Sequence, residues 1–256
     1  KNHPSGWFFV LYQWWYSNDI MMTTFPRIQL LGAGAIVFIT VAALWWMLGL
    51  KTYQTLLPLA EGDTVSSWNF VGAYTNNPEL QEKAHVEIER LTKLVGNSKE
   101  YTDYQLNIAT AAQYELMGDG AKAYEYLNRA AAIDPVHTGL AWANLGELME
   151  RLGAFQTARV AYAKAVEAQP SISGYHAARL TFLTQHFAMD TVAVEGAFSE
   201  AKTHFGDSPQ ILQIKAQWFA STGKIAEAID TWKKVSSMIG VQPGIDKEIK
   251  RLQAKL

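Results

Sequence analysis

Any chemistry would have to start from the six histidines, His3, His85, His137, His176, His186 and His204. No two of them stand four residues apart, the spacing that sets a pair of imidazoles on one helical face to hold a metal. His176, His186 and His204 read as ordinary polar or half-buried side chains. Gly118-Asp119-Gly120 has the glycines of a phosphate loop. No strand pattern precedes it and no Gly-Lys-Ser/Thr follows, so it reads as a turn between helices. The sequence has no cysteine, which removes disulfides, thiolate metal ligands and a thiol nucleophile. Asp63, with Ser66 and Ser67 behind it, has the chemistry of a helix start. The aromatic residues Trp142, Tyr162, Trp218 and Trp232 fall at core positions or beside them, not on a stacking platform for bases or sugars. No catalytic residue, cofactor site, metal site or small-molecule substrate is expected.

Charge excludes a further class. Of 22 Lys and Arg and 24 Asp and Glu, only Lys1, Arg27 and Asp19 precede Lys51. The rest of the chain is therefore slightly acidic and lacks the basic stripe that a nucleic-acid partner requires. The charge-poor first fifty residues need a separate explanation. Between Arg27 and Lys51, residues 28–50 carry no charge at all. As a helix rising about 1.5 Å per residue they span about 34 Å, enough for a hydrocarbon core of about 30 Å. Trp45 and Trp46 stand near one end, where indole rings favour the headgroup boundary. A transmembrane helix is the expectation for 28–50. Arg27 and Lys51 balance, so charge does not set its direction. An N-terminal anchor ahead of a large polar domain places that domain outside the cytoplasm, in the periplasm if the source is bacterial.

Residues 1–27 hold the aromatic run from Trp7 to Tyr16, closed by Ser17-Asn18-Asp19. Ten residues make about 15 Å of helix, half a bilayer. Three readings stay open: a helix lying among headgroups, the tail of an earlier span, or a patch docked on an integral-membrane protein. Trp7, Phe8, Trp14, Trp15 and Tyr16 are its candidate docking residues.

The elements after Lys51 are set by a repeat. In the stretch Ala141 to Pro170, Trp142, Leu145, Gly146 and Met149 lie on one predicted helix. Ala158, Tyr162, Ala165 and Pro170 lie on the next. Gly146 and Ala158 are small where two helices of a hairpin must press together. Trp142 and Tyr162 are large where space toward neighbouring hairpins must be filled. Gly153 allows the sharp turn between. Thirty-five residues earlier, Gly118, Ala123, Ala130 and Pro135 repeat the pattern, and seventy later Gly223, Ala228, Trp232 and Val235 do. Two periods demand a hidden copy between, and Val194, Phe198 and Ala201 fill its second helix without a turn glycine.

This pattern resembles the tetratricopeptide repeat, most specifically over the Trp142 copy. The resemblance implies a solenoid of helical hairpins, so the fold expected is all-α, the N-terminal transmembrane helix read above followed by that solenoid. Four hairpins are expected over 104–240, the third degenerate, with a capping helix over 241–256. Connecting helices are expected over 51–103. One of them starts at Asn77-Pro78 and stops at Gly96, and reads as half of a worn repeat.

In the resembled family, ligands meet fixed positions on the first helix of each hairpin. Carried onto this chain, these are Gln105, Ile108, Ala112 and Glu115, then Ala143, Glu147, Glu150 and Arg151, then Gln210, Gln213 and Gln217. Members that grip a peptide's C-terminal carboxylate carry Asn just after the repeat's glycine. Glu147 stands there in this chain and would repel such a ligand, so that clamp is not expected. Glu150 reads as a free surface group, whose replacement by Leu should cost little. What the resemblance implies is a membrane-anchored scaffold or assembly factor that binds proteins, an integral-membrane protein among them. The alternative is a permanent accessory subunit of a respiratory, secretion or pilus-type assembly. Removal of everything before Thr52 should leave a soluble and largely helical domain, checked by membrane fractionation and circular dichroism.

Overall fold

The computed structural model describes residues 57–256, all of it helix, turn or extended chain. The expected span over 28–50 and the aromatic segment over 1–27 lie outside the described residues. Among those described, no helix is long and apolar enough to cross a membrane. Ten helices follow one another: α1 Pro78–Leu94, α2 Asp103–Met117, α3 Gly120–Ile133, α4 Gly139–Arg151, α5 Phe155–Ala168, α6 Ser173–His186, α7 Thr191–Phe205, α8 Pro209–Ser221, α9 Ile225–Ile239 and α10 Pro243–Gln253.

Local signals set these boundaries. Asn77 accepts the Leu80 amide ahead of Pro78, and Thr102 with Gln105 forms a reciprocal capping box at α2. Asp119 and Asp190 cap α3 and α7 through the amides of Lys122 and Ala193. The helices pair as α2/α3, α4/α5, α6/α7 and α8/α9, and α3 and α5 each pack onto the first helix of the next hairpin. The chain is therefore a helical-hairpin solenoid. Small residues set the approach of the helices: Ala123, Ala130, Ala158 and Ala165 are fully buried. A Cβ on Gly146 would sit 2.8–2.9 Å from the Tyr162 ring, so the aromatic of the second helix lies flat in the gap that glycine leaves.

The third hairpin departs from the pattern. Val194, Phe198 and Ala201 fill the core as the repeat requires. However, α6 and α7 pack less closely than the helices of the other pairs, and α8 packs on α6 more than on α7. His176 is part of this core and not a half-buried polar group: it is 2% exposed. Its Nε2 lies 3.0 Å from the Pro170 carbonyl, as the Trp142 Nε1–H donates to the Pro135 carbonyl one repeat earlier. Burial holds its imidazole below the usual histidine range, opposed by the bond to Pro170. At the far end α10 lays Ile245 and Leu252 on α9, covering the last apolar face.

The described part of 51–103 differs from the expected set of connecting helices. It holds α1, after an extended strap over 57–77. The strap crosses α3 and the start of α5. Leu57 is buried, with its amide on Asn128 Oδ1 and its carbonyl accepting the Tyr124 hydroxyl. Further along, Phe70 N–H donates to the Gly118 carbonyl and Gly120 N–H to the Trp68 carbonyl. A side chain on Gly118 would meet the Phe70 carbonyl at 2.0 Å, and its φ of +84° already favours glycine.

Asp63 does supply helix-start chemistry, but to a helix far along the chain. Ala154, at the cap position of α5, offers no side-chain acceptor. Asp63 Oδ2 accepts the Thr157 amide at 2.6 Å and its hydroxyl at 2.7 Å, and Oδ1 accepts the Gln156 amide at 3.3 Å. The Thr157 hydroxyl in turn accepts the Ala60 amide. Asp63→Ala should therefore cost about 1–2 kcal/mol, the loss typical of a helix cap, as measured by chemical denaturation.

Candidate partner-binding groove

The sequence-derived contact residues lie on α2, α4 and α8, and the structure separates them into groups. Glu115, Glu147, Glu150 and Arg151 come together at the C-terminal ends of α2 and α4, where Arg151 lies 3.7 Å from Glu115. Gln105 is committed to its capping box, and Ile108 is packed against the core. Ala112 is exposed. Ala143 is a correction: at 6% exposure its Cβ belongs to the core, so it offers a partner no surface. Gln210 and Gln217 are exposed on α8, and Gln213 is half-buried, two hairpins beyond the acidic group.

Two residues that the family positions do not include complete that group. His186, at the end of α6, places Nε2 2.9 Å from Glu150 Oε1. Its ring stacks on Phe155 with centroids 4.3 Å apart. Phe70, from the strap, lies under the Arg151 guanidinium at 4.8 Å. The repeat period could have found His186, because it follows Glu150 by one copy as Glu150 follows Glu115. Phe70 had no such signal, since the strap is not periodic.

The carboxylates differ sharply in their freedom. Burial is the main force raising the Glu115 carboxyl above the usual range; the negative charge of Glu147 adds to it and Arg151 opposes it. Glu150 accepts the Tyr162 hydroxyl at 2.8 Å, and burial followed by that acidic neighbour pushes the phenol well above its usual range. Glu147 is exposed and has no hydrogen-bond or ion-pair partner among the described residues. It is the carboxylate most available to an incoming cationic group or backbone amide. Among the described residues, no group of three or more His, Asp or Glu is placed to hold a metal ion.

No protein-family model matches the sequence, and no curated protein matches it. Solved structures align with it at low identity. A thermophilic TPR protein in Thermus thermophilus is 15% identical over 68% of this chain and 92% of its own, with a TM-score of 0.47. MamA AMB-1 is 16% identical over 66% of this chain and 94% of its own, with a TM-score of 0.44.

The geometry reverses the expectation for Glu150. Glu150→Leu leaves the largely buried Tyr162 hydroxyl without its acceptor and should cost about 1–3 kcal/mol. Glu147→Leu should cost little, since Glu147 has no partner to lose. Thermal melts of the two variants side by side make the comparison.

Proposed function

We propose that this chain is a membrane-anchored scaffold or assembly factor, without catalysis or cofactor of its own, which holds proteins of a membrane complex. In this reading residues 28–50 fix it in the bilayer and the hairpins stand outside the cytoplasm, in the periplasm if the source is bacterial. An integral-membrane protein is among its partners, and nucleic acids and small-molecule substrates are not. The observation that carries the reading is the cluster around Glu147. Tyr162 and His186 hold Glu150 there and Phe70 lies under Arg151, from three separate elements, and the exposed Glu147 beside them has no protein partner among the described residues. Such a surface suits a basic or backbone-donating segment. A partner's carboxylate would meet repulsion that water only partly screens.

A second reading, a permanent accessory subunit of a respiratory, secretion or pilus-type assembly, draws on a different observation. Met189 and Val192, at the turn into α7, are each 84% exposed, as a surface buried by a standing neighbour would be.

Co-purification from mild detergent separates the sites. Glu147→Lys should weaken capture of partners with folding and membrane insertion intact. If Glu147→Lys changes nothing and Trp14→Ala with Trp15→Ala abolishes capture, the N-terminal aromatic segment is the contact and the groove is not.

A further inference from the structure

Arg151 departs from a pattern that the rest of the chain keeps. Four glutamates have Lys or Arg four residues ahead: Glu79, Glu89, Glu125 and Glu147. That order, acid before base along the helix, is the favourable one for a side-chain pair one turn apart. Lys83, Lys93 and Arg129 close the first three pairs. The fourth stays open, because Arg151 turns instead to Glu115 on α2, at 3.7 Å, and to the Phe70 ring, at 4.8 Å. Its place in the last turn of α4 is not the cause, since Lys93 pairs from the last turn of α1. Glu115 holds the guanidinium only loosely, for 3.7 Å is too long for a hydrogen bond. The ring supplies the rest, as aromatic faces do for cations. Phe70 itself is fixed from two sides. Its amide donates to the Gly118 carbonyl, and its ring edge stands 3.2 Å from where a Cβ on Gly120 would be.

We infer that Phe70 determines which side chains the surface around Glu147 accepts: its ring draws Arg151 away and so reserves that carboxylate for a lysine or arginine of a partner segment. This rests on the function proposed above, in which that surface is the contact. Without the ring, Arg151 has Glu147 one helical turn back, in the order that the other three pairs use. The carboxylate would then meet a partner already neutralised by its own helix. Neither neighbour can stand in for it. The Glu115 side chain is only 20% exposed, and Glu150 already accepts the Tyr162 hydroxyl and meets His186. Glu147 is therefore the open carboxylate of the three, and a residue of the strap, outside the repeat altogether, keeps it open. The strap thus sets the charge of a first-helix surface as well as fastening the hairpins it crosses.

The test follows a labelled, end-capped Gly-Lys-Gly-Lys-Gly peptide by fluorescence anisotropy, with the full chain in detergent at low salt, where screening is weak. Glu147→Gln should abolish binding. Phe70→Leu keeps an apolar side chain on the strap but gives up the ring. It should weaken binding about threefold or more, the scale of one added cation a few ångströms from the carboxylate. Phe70→Tyr keeps the ring and should bind as the wild type does. In an Arg151→Gln background Phe70→Leu should change nothing, because no guanidinium remains to be released. Those results together support the assignment. A loss from Phe70→Leu that persists in the Arg151→Gln background comes from the packing of the strap, and overturns it. Equal binding by Phe70→Leu and the wild type, with Glu147→Gln failing to bind, overturns it too but leaves the proposed contact standing. Binding that Glu147→Gln leaves intact, or no binding to the wild type at millimolar peptide, overturns the inference together with the contact it rests on.

Discussion

The second helices carry alanine, or valine in one place each on α7 and α9, where a first helix presses on them, and the rest of the molecule follows from that close contact. Ala123, Ala158 and Ala201 are fully buried, and the Tyr162 ring rests where Gly146 has no side chain. Interiors pack at crystal-like density, so one extra methylene at such a point displaces a helix. Once the distance within a hairpin is fixed, each hairpin buries its remaining faces only against the next, as a solenoid must. Side chains one period apart then become neighbours. Glu115, Glu150 and His186 occupy one repeat position, and the last two meet across adjacent first helices.

That logic also decides what can be read from the sequence. The turn glycines Gly118, Gly153 and Gly223 take positive φ, and the third hairpin forms from Val194, Phe198 and Ala201 although it lacks one. These signals are local and periodic, and they survive the loss of any single residue. At His176 the residue type hides the position. It bonds the carbonyl of a repeat-closing proline, Pro170, as Trp142 bonds that of Pro135 one repeat earlier, so a polar residue does a core residue's work. Ala143 misleads in the other direction, since a family contact position need not face solvent and this one is buried. Glu150 reads as free from the sequence because its partners, Tyr162 and His186, sit on other helices.

The strap is illegible in the sequence for a stronger reason. An extended segment that pairs with loop backbone leaves no hydrophobic period, and the partner of Asp63 lies ninety-four residues ahead. Closing so long a loop costs only slowly more entropy than closing a short one, about 0.6 kcal/mol for each doubling. A few good hydrogen bonds at its far end, together with the burial of Leu57, can offset that.

Why the strap docks where it does can be read from one repeat position. The residue that begins the second helix of each hairpin is Asp119 at α3, Ala154 at α5, Asp190 at α7 and Lys224 at α9. Two of the four are aspartates that cap their own helix, and α5 has lost that group. Its first amides would be orphaned, and orphaned donors at a helix start favour any anion that can reach them. Asp63 reaches them. An aspartate at 154 would have satisfied the same amides and placed a like charge beside Asp63, leaving the strap neither an acceptor site nor a register. Ala154 therefore acts as a key for the strap because it cannot cap.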